Sequence, residues 1–85
     1  MYYVYILLSE KDDKFYTGST NDLKRRIYEH SNGRVDSTND RLPMKLIYYE
    51  ACIEELDARA REKYLKSGMG KKYIRKRLKN YLGDL

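Results

Sequence analysis

The chain has little of what small domains usually lean on. A single cysteine, Cys52, leaves no partner for an internal disulfide; a lone thiol fits a reducing compartment and reads as a small buried apolar side chain. There is no tryptophan, and Pro43 is the only proline. No apolar run approaches the roughly 20 residues that span a bilayer. Met1 to Leu8 is apolar but lacks a basic leader and a small-residue cleavage site, so it reads as a strand. These absences predict a cytoplasmic protein with no membrane partner. No repeat, low-complexity tract or linker breaks the sequence.

The 85 residues, 41% of them apolar, suffice for one core, so residues 1–85 are expected to form a single domain. The net charge of +5 is unevenly spread: residues 1–60 hold nine Lys/Arg against eleven Asp/Glu, whereas residues 61–85 hold nine against two. Such a one-ended positive field attracts polyanions through counterion release, and the expected partner is nucleic acid, DNA or RNA, with a membrane surface ranked lower because the last helix has only modest apolar bulk. The ten tyrosines are expected mostly to pack in the core with the hydroxyl at its edge.

Local patterns predict an α/β fold in the order ββαβαα, a small three-stranded sheet flanked by three helices. Tyr2–Ser9 is β-branched and aromatic, Glu10–Asp13 is a polar turn, and Lys14–Ser19 is the hairpin partner. A four-residue turn sets Leu7 opposite Tyr16 and Tyr5 opposite Gly18, leaving Tyr5 and Tyr16 diagonal on one face; a three-residue turn would separate them. Asn21 or Asp22 caps a helix that runs to about Ser31, with Asn32-Gly33 as its stop. A polar loop follows over residues 34–44, then a strand over Lys45–Ala51. Helices are predicted over Glu54–Ser67 and Lys71–Leu82, separated by Gly68-Met69-Gly70.

Several side chains could carry chemistry. Leu23, Ile27 and His30 share one side of the first helix at about 100° per residue, and Arg26 flanks that side while Arg25 points away. Arg26 against a sheet needs an anion, either a phosphate gripped by its planar fork or a carboxylate such as Glu50. His30, one turn on, is either a proton carrier or a structural histidine. Glu62 lies on the second helix among Ala58, Leu65 and Met69, with Leu56, Ala60 and Tyr64 on another face. A carboxylate so placed needs a cation, either a divalent metal or Arg59, Lys66 or Arg26. Residues 71–79 (KKYIRKRLK) surround the stripe Ile74, Leu78, Tyr81 and Leu82 with basic groups, and Lys71, Lys72, Arg75 and Lys76 are candidate phosphate contacts. In the 34–44 loop, Arg34, Ser37, Thr38, Asn39 and Arg41 are phosphate-compatible donors.

Taken in order, these residues resemble the GIY-YIG endonuclease superfamily, and most of all small stand-alone proteins similar to an excinuclease nuclease domain. Tyr3-Val4-Tyr5 stands for the first motif, Tyr16-Thr17-Gly18 for the second, Arg26 for the family arginine, Glu62 for the metal-binding glutamate, and His30 for a histidine of some members. The resemblance implies Mg²⁺- or Mn²⁺-dependent hydrolysis of DNA phosphodiesters, such as structured or damaged DNA in repair. One ion would sit at Glu62, Arg26 on the scissile phosphate, and Tyr5 or Tyr16 beside the attacking water. Three positions depart from the pattern: Tyr3 replaces the opening glycine, Ser19 replaces a lysine, and the late asparagine has no counterpart, Asn80 lying too far along. A nucleic-acid-binding module without turnover is the alternative, and a tyrosine-rich protein-interaction domain is a third. A monomer or weak dimer is expected, with a recruiting protein if specificity is needed.

Overall fold

A computed structural model describes residues 1–83; Asp84 and Leu85, the end of the expected domain, lie outside the described residues. Three strands, β1 (Tyr2–Ser9), β2 (Phe15–Thr20) and β3 (Met44–Cys52), form an antiparallel sheet in the order β2-β1-β3. The α/β fold and its ββαβαα order are those expected, with one short helix added at the end.

β1 is the central strand, and its run of apolar residues fits a strand covered on both faces: Val4 to Ser9 are all buried. Alternate residues sort into two cores. Val4 and Ile6 pack with Ala58, Leu65 and Ile74 from the later helices. Tyr5 and Leu7 pack on the opposite face with Met44 and with Leu23 and Ile27 of α1 (Leu23–Ser31). A register shift in the β1–β3 pairing after Ile6 turns both Ile47 and Tyr48 toward the first core while Leu46 faces the second. The molecule therefore has three layers, α1, sheet, and the later helices.

The hairpin has the four-residue turn, and Tyr5 pairs with Gly18 and Leu7 with Tyr16 as the sequence predicts. Ser9 anchors the turn. Its buried Oγ accepts from the amides of Lys11 (3.1 Å) and Asp12 (3.2 Å) and donates to the Arg41 carbonyl at 2.7 Å, tying the 34–44 loop to the hairpin. Helix α1 begins where Asp22 Oδ1 accepts from the Arg25 amide at 3.1 Å. It ends in a Schellman motif, with Gly33 at φ 70°, Gly33 N donating to His30 O and Arg34 N to Glu29 O.

The last third corrects four expectations. The single helix over Lys71–Leu82 is two: α3 (Gly68–Arg77) and a one-turn α4 (Lys79–Leu82), parted at Leu78. The break after α2 (Glu55–Lys66) is one residue, Ser67, whose extended backbone and Oγ cap on Gly70 N (3.1 Å) start α3 at once. Gly68-Met69-Gly70 is thus the first turn of a helix, and Met69, expected on the apolar stripe of α2, is 73% exposed. Nor is α2 packed from two sides, since Leu56 is 79% exposed and Ala60 and Tyr64 are also exposed.

The tyrosines also differ from expectation. Only Tyr5 is fully buried, and Tyr28, Tyr49, Tyr64, Tyr73 and Tyr81 are exposed. Four of these rings face cations instead: Arg34 over Tyr28, Lys45 over Tyr81, and Arg61 over both Tyr64 and Tyr73. In a chain so rich in Lys and Arg, an exposed phenol is a platform for a guanidinium. Arg61 also grips Glu50 with Nε at 3.0 Å and Nη2 at 2.9 Å, so Glu50 is paired with α2 and not with Arg26. Cys52 is only half-buried, at the rim of the first core.

Gly70 is where the helix junction is tightest. A Cβ there would run into the Tyr64 carbonyl oxygen and Leu65 Cα, both backbone atoms of α2. Gly68 meets nothing within 4 Å. Gly70→Ala should therefore lower unfolding stability by about 2 kcal/mol or more, whereas Gly68→Ala is neutral or slightly stabilising, by about 0.5 kcal/mol. Urea denaturation of the two variants checks this; equal stabilities would contradict the close packing of α3 on α2.

Candidate active site

The α1 face of the sheet gathers four of the five candidate catalytic residues. Tyr5 and Tyr16 lie diagonally, ring centroids 6.4 Å apart, and the His30 ring meets both edge-on at 5.6 and 5.1 Å. Tyr5 can lean across β2 because Gly18 opposite it has no side chain: a Cβ there would stand 2.6 Å from Tyr5 Cζ.

A buried hydrogen-bond chain runs through this cluster. Tyr5 Oη lies 2.8 Å from His30 Nε2, and His30 Nδ1 lies 2.8 Å from Thr38 Oγ1. Two tautomers satisfy this chain; in the one we assign, the Thr38 hydroxyl turns to the Val35 carbonyl, 3.5 Å away, and its oxygen accepts from His30 Nδ1–H. That leaves Nε2 as the acceptor of the Tyr5 proton. Thr38, expected to touch a nucleic-acid backbone, is instead fully buried behind the histidine. It sits in an aperiodic loop with no sequence signal to mark it; only the fold brings it to His30.

The local electrostatics follow from burial. Burial raises the Tyr5 hydroxyl to about 12, Arg26 pulling against the rise and Tyr16 and Glu62 adding to it. Burial and the Arg26 charge push the His30 imidazole down to about 4, with Glu29 opposing, so it is neutral at pH 7. Arg26 is half-exposed on the flank of α1, as the helical spacing predicts. Its guanidinium lies against the Tyr5 hydroxyl, a contact that makes the guanidinium hold its own proton more tightly, while its one well-formed bond goes to Glu29 Oε1 at 3.1 Å. That partner is a neighbour on the same helix and half-solvated, leaving the outer edge of the fork open to an anion.

Glu62 lies on α2, across the sheet from this cluster, and the two sets meet only at the outer edge of β2. Its Oε1 accepts from Ser19 Oγ at 2.6 Å, next to Gly18, and its Oε2 pairs with Lys66 at 2.9 Å. Partial burial pushes the carboxyl up, but the Ser19 hydroxyl and the Lys66 ammonium outweigh it and hold it below the usual carboxylate range. Ser19 thus positions the glutamate. Glu62 lines an open depression of about 330 Å³ with Ser19, Arg59, Lys63 and Lys66; Tyr5, Tyr16, Arg26 and His30 do not line it. The described residues contain no cluster of three or more His, Cys, Asp or Glu that could cage a metal. A single ionised, partly open carboxylate fits a divalent ion such as Mg²⁺ only if substrate oxygens and water complete its shell.

The basic residues expected to touch nucleic acid are dispersed. Arg41, Lys71 and Arg75 surround one depression with Lys14 and Phe15. Lys72 and Lys76 are exposed on α3, and Arg34 stacks on Tyr28 beside α1. No helix among the described residues is long and apolar enough to cross a membrane.

The chain's one histidine makes the electrostatics directly testable. Because the folded imidazole titrates near 4 and an unfolded one near 6.5, the unfolded chain takes up the proton first. This contribution to stability is intact above pH 6.5 and drains away as pH falls toward 4. Proton NMR of the His30 ring should show a midpoint near 4; titration at 6.5 would mean the ring is not enclosed.

Comparison with known proteins agrees with this geometry. The family model described as the GIY-YIG catalytic domain matches residues 1–77. A UPF0213 protein of Clostridium perfringens is 46% identical over 67 residues, covering 78% of this chain and 71% of that protein. A UPF0213 protein of Lacticaseibacillus paracasei is 39% identical over 66 residues (76% and 73%), and one of Haloquadratum walsbyi 37% over 67 residues (78% and 74%). No solved structure matches. The motif tyrosines on paired strands, the flanking arginine and a match along most of its length make this chain a member of the GIY-YIG family.

Proposed function

We propose that the protein is a divalent-metal-dependent endonuclease that hydrolyses DNA phosphodiester bonds at the outer edge of β2. The observation that carries the reading is the Tyr5–His30 hydrogen bond, set beside an open guanidinium in a GIY-YIG domain. Arg26 binds a non-bridging oxygen of the scissile phosphate and neutralises the charge that grows there in the transition state. Glu62, oriented by Ser19, would hold a Mg²⁺ or Mn²⁺ ion in place of its present partner Lys66, and such an ion would supply Lewis acidity to the phosphate.

Of the two tyrosines, Tyr5 is the one with a proton acceptor, so we assign it the attacking water. At rest its proton stays put: with Tyr5 near 12 and His30 near 4, transfer between them costs on the order of 10 kcal/mol. The Arg26 guanidinium already offsets part of that cost. In the proposed step His30 would take the proton at Nε2 while the Tyr5 oxygen accepts one from the water that bonds to phosphorus, and the leaving oxygen departs with the P–O electron pair and takes a proton from solvent. Tyr16 packs the ring wall against His30 and keeps water from the far side.

One observation favours the second reading, a nucleic-acid-binding module with little turnover. Glu62 already has Lys66 as its counter-ion, and it shares no cavity with Tyr5 among the described residues.

Cleavage of labelled branched, nicked and single-stranded oligonucleotides separates the two. Glu62→Gln, Arg26→Ala and Tyr5→Phe should each reduce kcat by about a hundredfold or more, Tyr16→Phe by no more than about tenfold, and EDTA should stop the reaction. Metal-independent binding without any cleavage, unchanged in Glu62→Gln, would establish the module instead.

A further inference from the structure

The proposed cutting site occupies one end of β2. At the other end Asp12, Lys14, Phe15, Arg41, Lys71 and Arg75 line a separate open depression of about 570 Å³. Its charge is strongly one-sided. The single carboxylate, Asp12, is committed: Arg41 Nε bonds it at 2.9 Å, and this contact above all holds the carboxyl down to about 2. Arg41 Nη2 also donates to the carbonyls of Lys14 at 3.1 Å and Phe15 at 3.4 Å, so Arg41 is a fixed wall that locks loop to hairpin.

The other three cations have no such commitment. Lys14, Lys71 and Arg75 are exposed and have no ion-pair partner among the described residues. Arg75 is nonetheless held in place, its guanidinium 5.1 Å over the Phe15 ring. Three uncompensated cations around one concavity repel each other until an anion enters, and a stacked guanidinium presents its edge to a phosphate at little entropic cost. The strand between the two depressions adds a second feature. β2 is an outer strand, with a row of backbone groups that no strand of this sheet pairs. Phe15 and Ser19 point to the same face, four residues apart, which is about 13 Å along a strand. Each ~3.4 Å axial step of a duplex also turns the strand about its axis, so successive phosphates lie roughly 7 Å apart through space and the interval spans about two nucleotide steps.

We propose that this depression is a second phosphate-binding site, in which Lys71 and Arg75, with Lys14, grip the DNA backbone about two nucleotides from the bond cut beside Glu62. The spacing rests on the reading of the Glu62 end as the cutting site; the phosphate site itself does not. It gives the enzyme a register on its substrate along the β2 edge without reading any base.

The test compares the double variant Lys71→Gln/Arg75→Gln with Lys45→Gln, a cation on β3 at the opposite edge of the sheet. Binding of a 20-base-pair fluorescent duplex is followed by anisotropy over a range of salt, without divalent metal. The double variant should lose about 2 from the slope of log K against log salt, and Lys45→Gln should leave it unchanged. In the cleavage assay the double variant should raise KM about tenfold with kcat nearly unchanged. Equal slopes for the double variant and Lys45→Gln would overturn the site even if the wild type cuts DNA. A slope difference in a protein that never cuts would keep the site and refute the nuclease reading alone. Affinity for anionic lipid vesicles lost in the double variant, with duplex binding intact, would assign the depression to a membrane surface and also overturn it.

Discussion

The Tyr5 hydroxyl sits buried between a neutral imidazole and a guanidinium, and it can sit there only because Gly18 offers no side chain to stop it. Much else is arranged around that placement. The four-residue turn sets the register that puts Gly18 opposite Tyr5. Leu23 and Ile27 seat α1 on the Tyr5–Leu7 core, which brings His30 within 2.8 Å of the phenol. Loop 34–44 closes behind with Thr38, and Ser9 and Arg41 fasten that loop to the hairpin. A phenol buried without this chain of partners would be costly, and none of the buried side-chain polar atoms among the described residues lacks one.

The sheet separates the two halves of the proposed chemistry. Proton handling lies on the α1 face, the carboxylate on the α2 face, and Gly18–Ser19 is the hinge point where a substrate phosphate could reach both. Such a division leaves Glu62 at the rim and Tyr5 buried, with the Glu62 charge still adding to the rise in the phenol's pKa. The outer edge of β2 is bordered by cations at both ends, while Arg34 stacks on Tyr28 and Arg61 on Tyr64 and Tyr73.

Much of this architecture was legible in the sequence, because it rests on short-range rules. The hairpin register followed from turn length, the contrasting exposure of Arg25 and Arg26 from the 3.6-residue period, and the α1 boundaries from Asp22 and Gly33. The misses share a cause: they depend on what a residue meets from distant parts of the chain. Gly70 read as a breaker because glycine's other use, permitting two backbones to touch, leaves no local trace. Met69 read as a core residue because the stripe was continued past Ser67, where the helix ends. Thr38 looked like a surface donor, and Lys66 was one of three possible partners for Glu62 until the fold chose it. The tyrosines read as core from hydrophobicity alone, although the abundance of arginine pointed to stacking at the surface.

The central claim is that His30 is neutral, protonated on Nδ1 toward Thr38, and therefore able to receive a proton at Nε2 from Tyr5. Long-range ¹H–¹⁵N correlation NMR of the His30 ring at neutral pH reads the tautomer directly. The account predicts a protonated Nδ1 and an unprotonated Nε2; a proton found on Nε2 would leave Tyr5 no acceptor and contradict it.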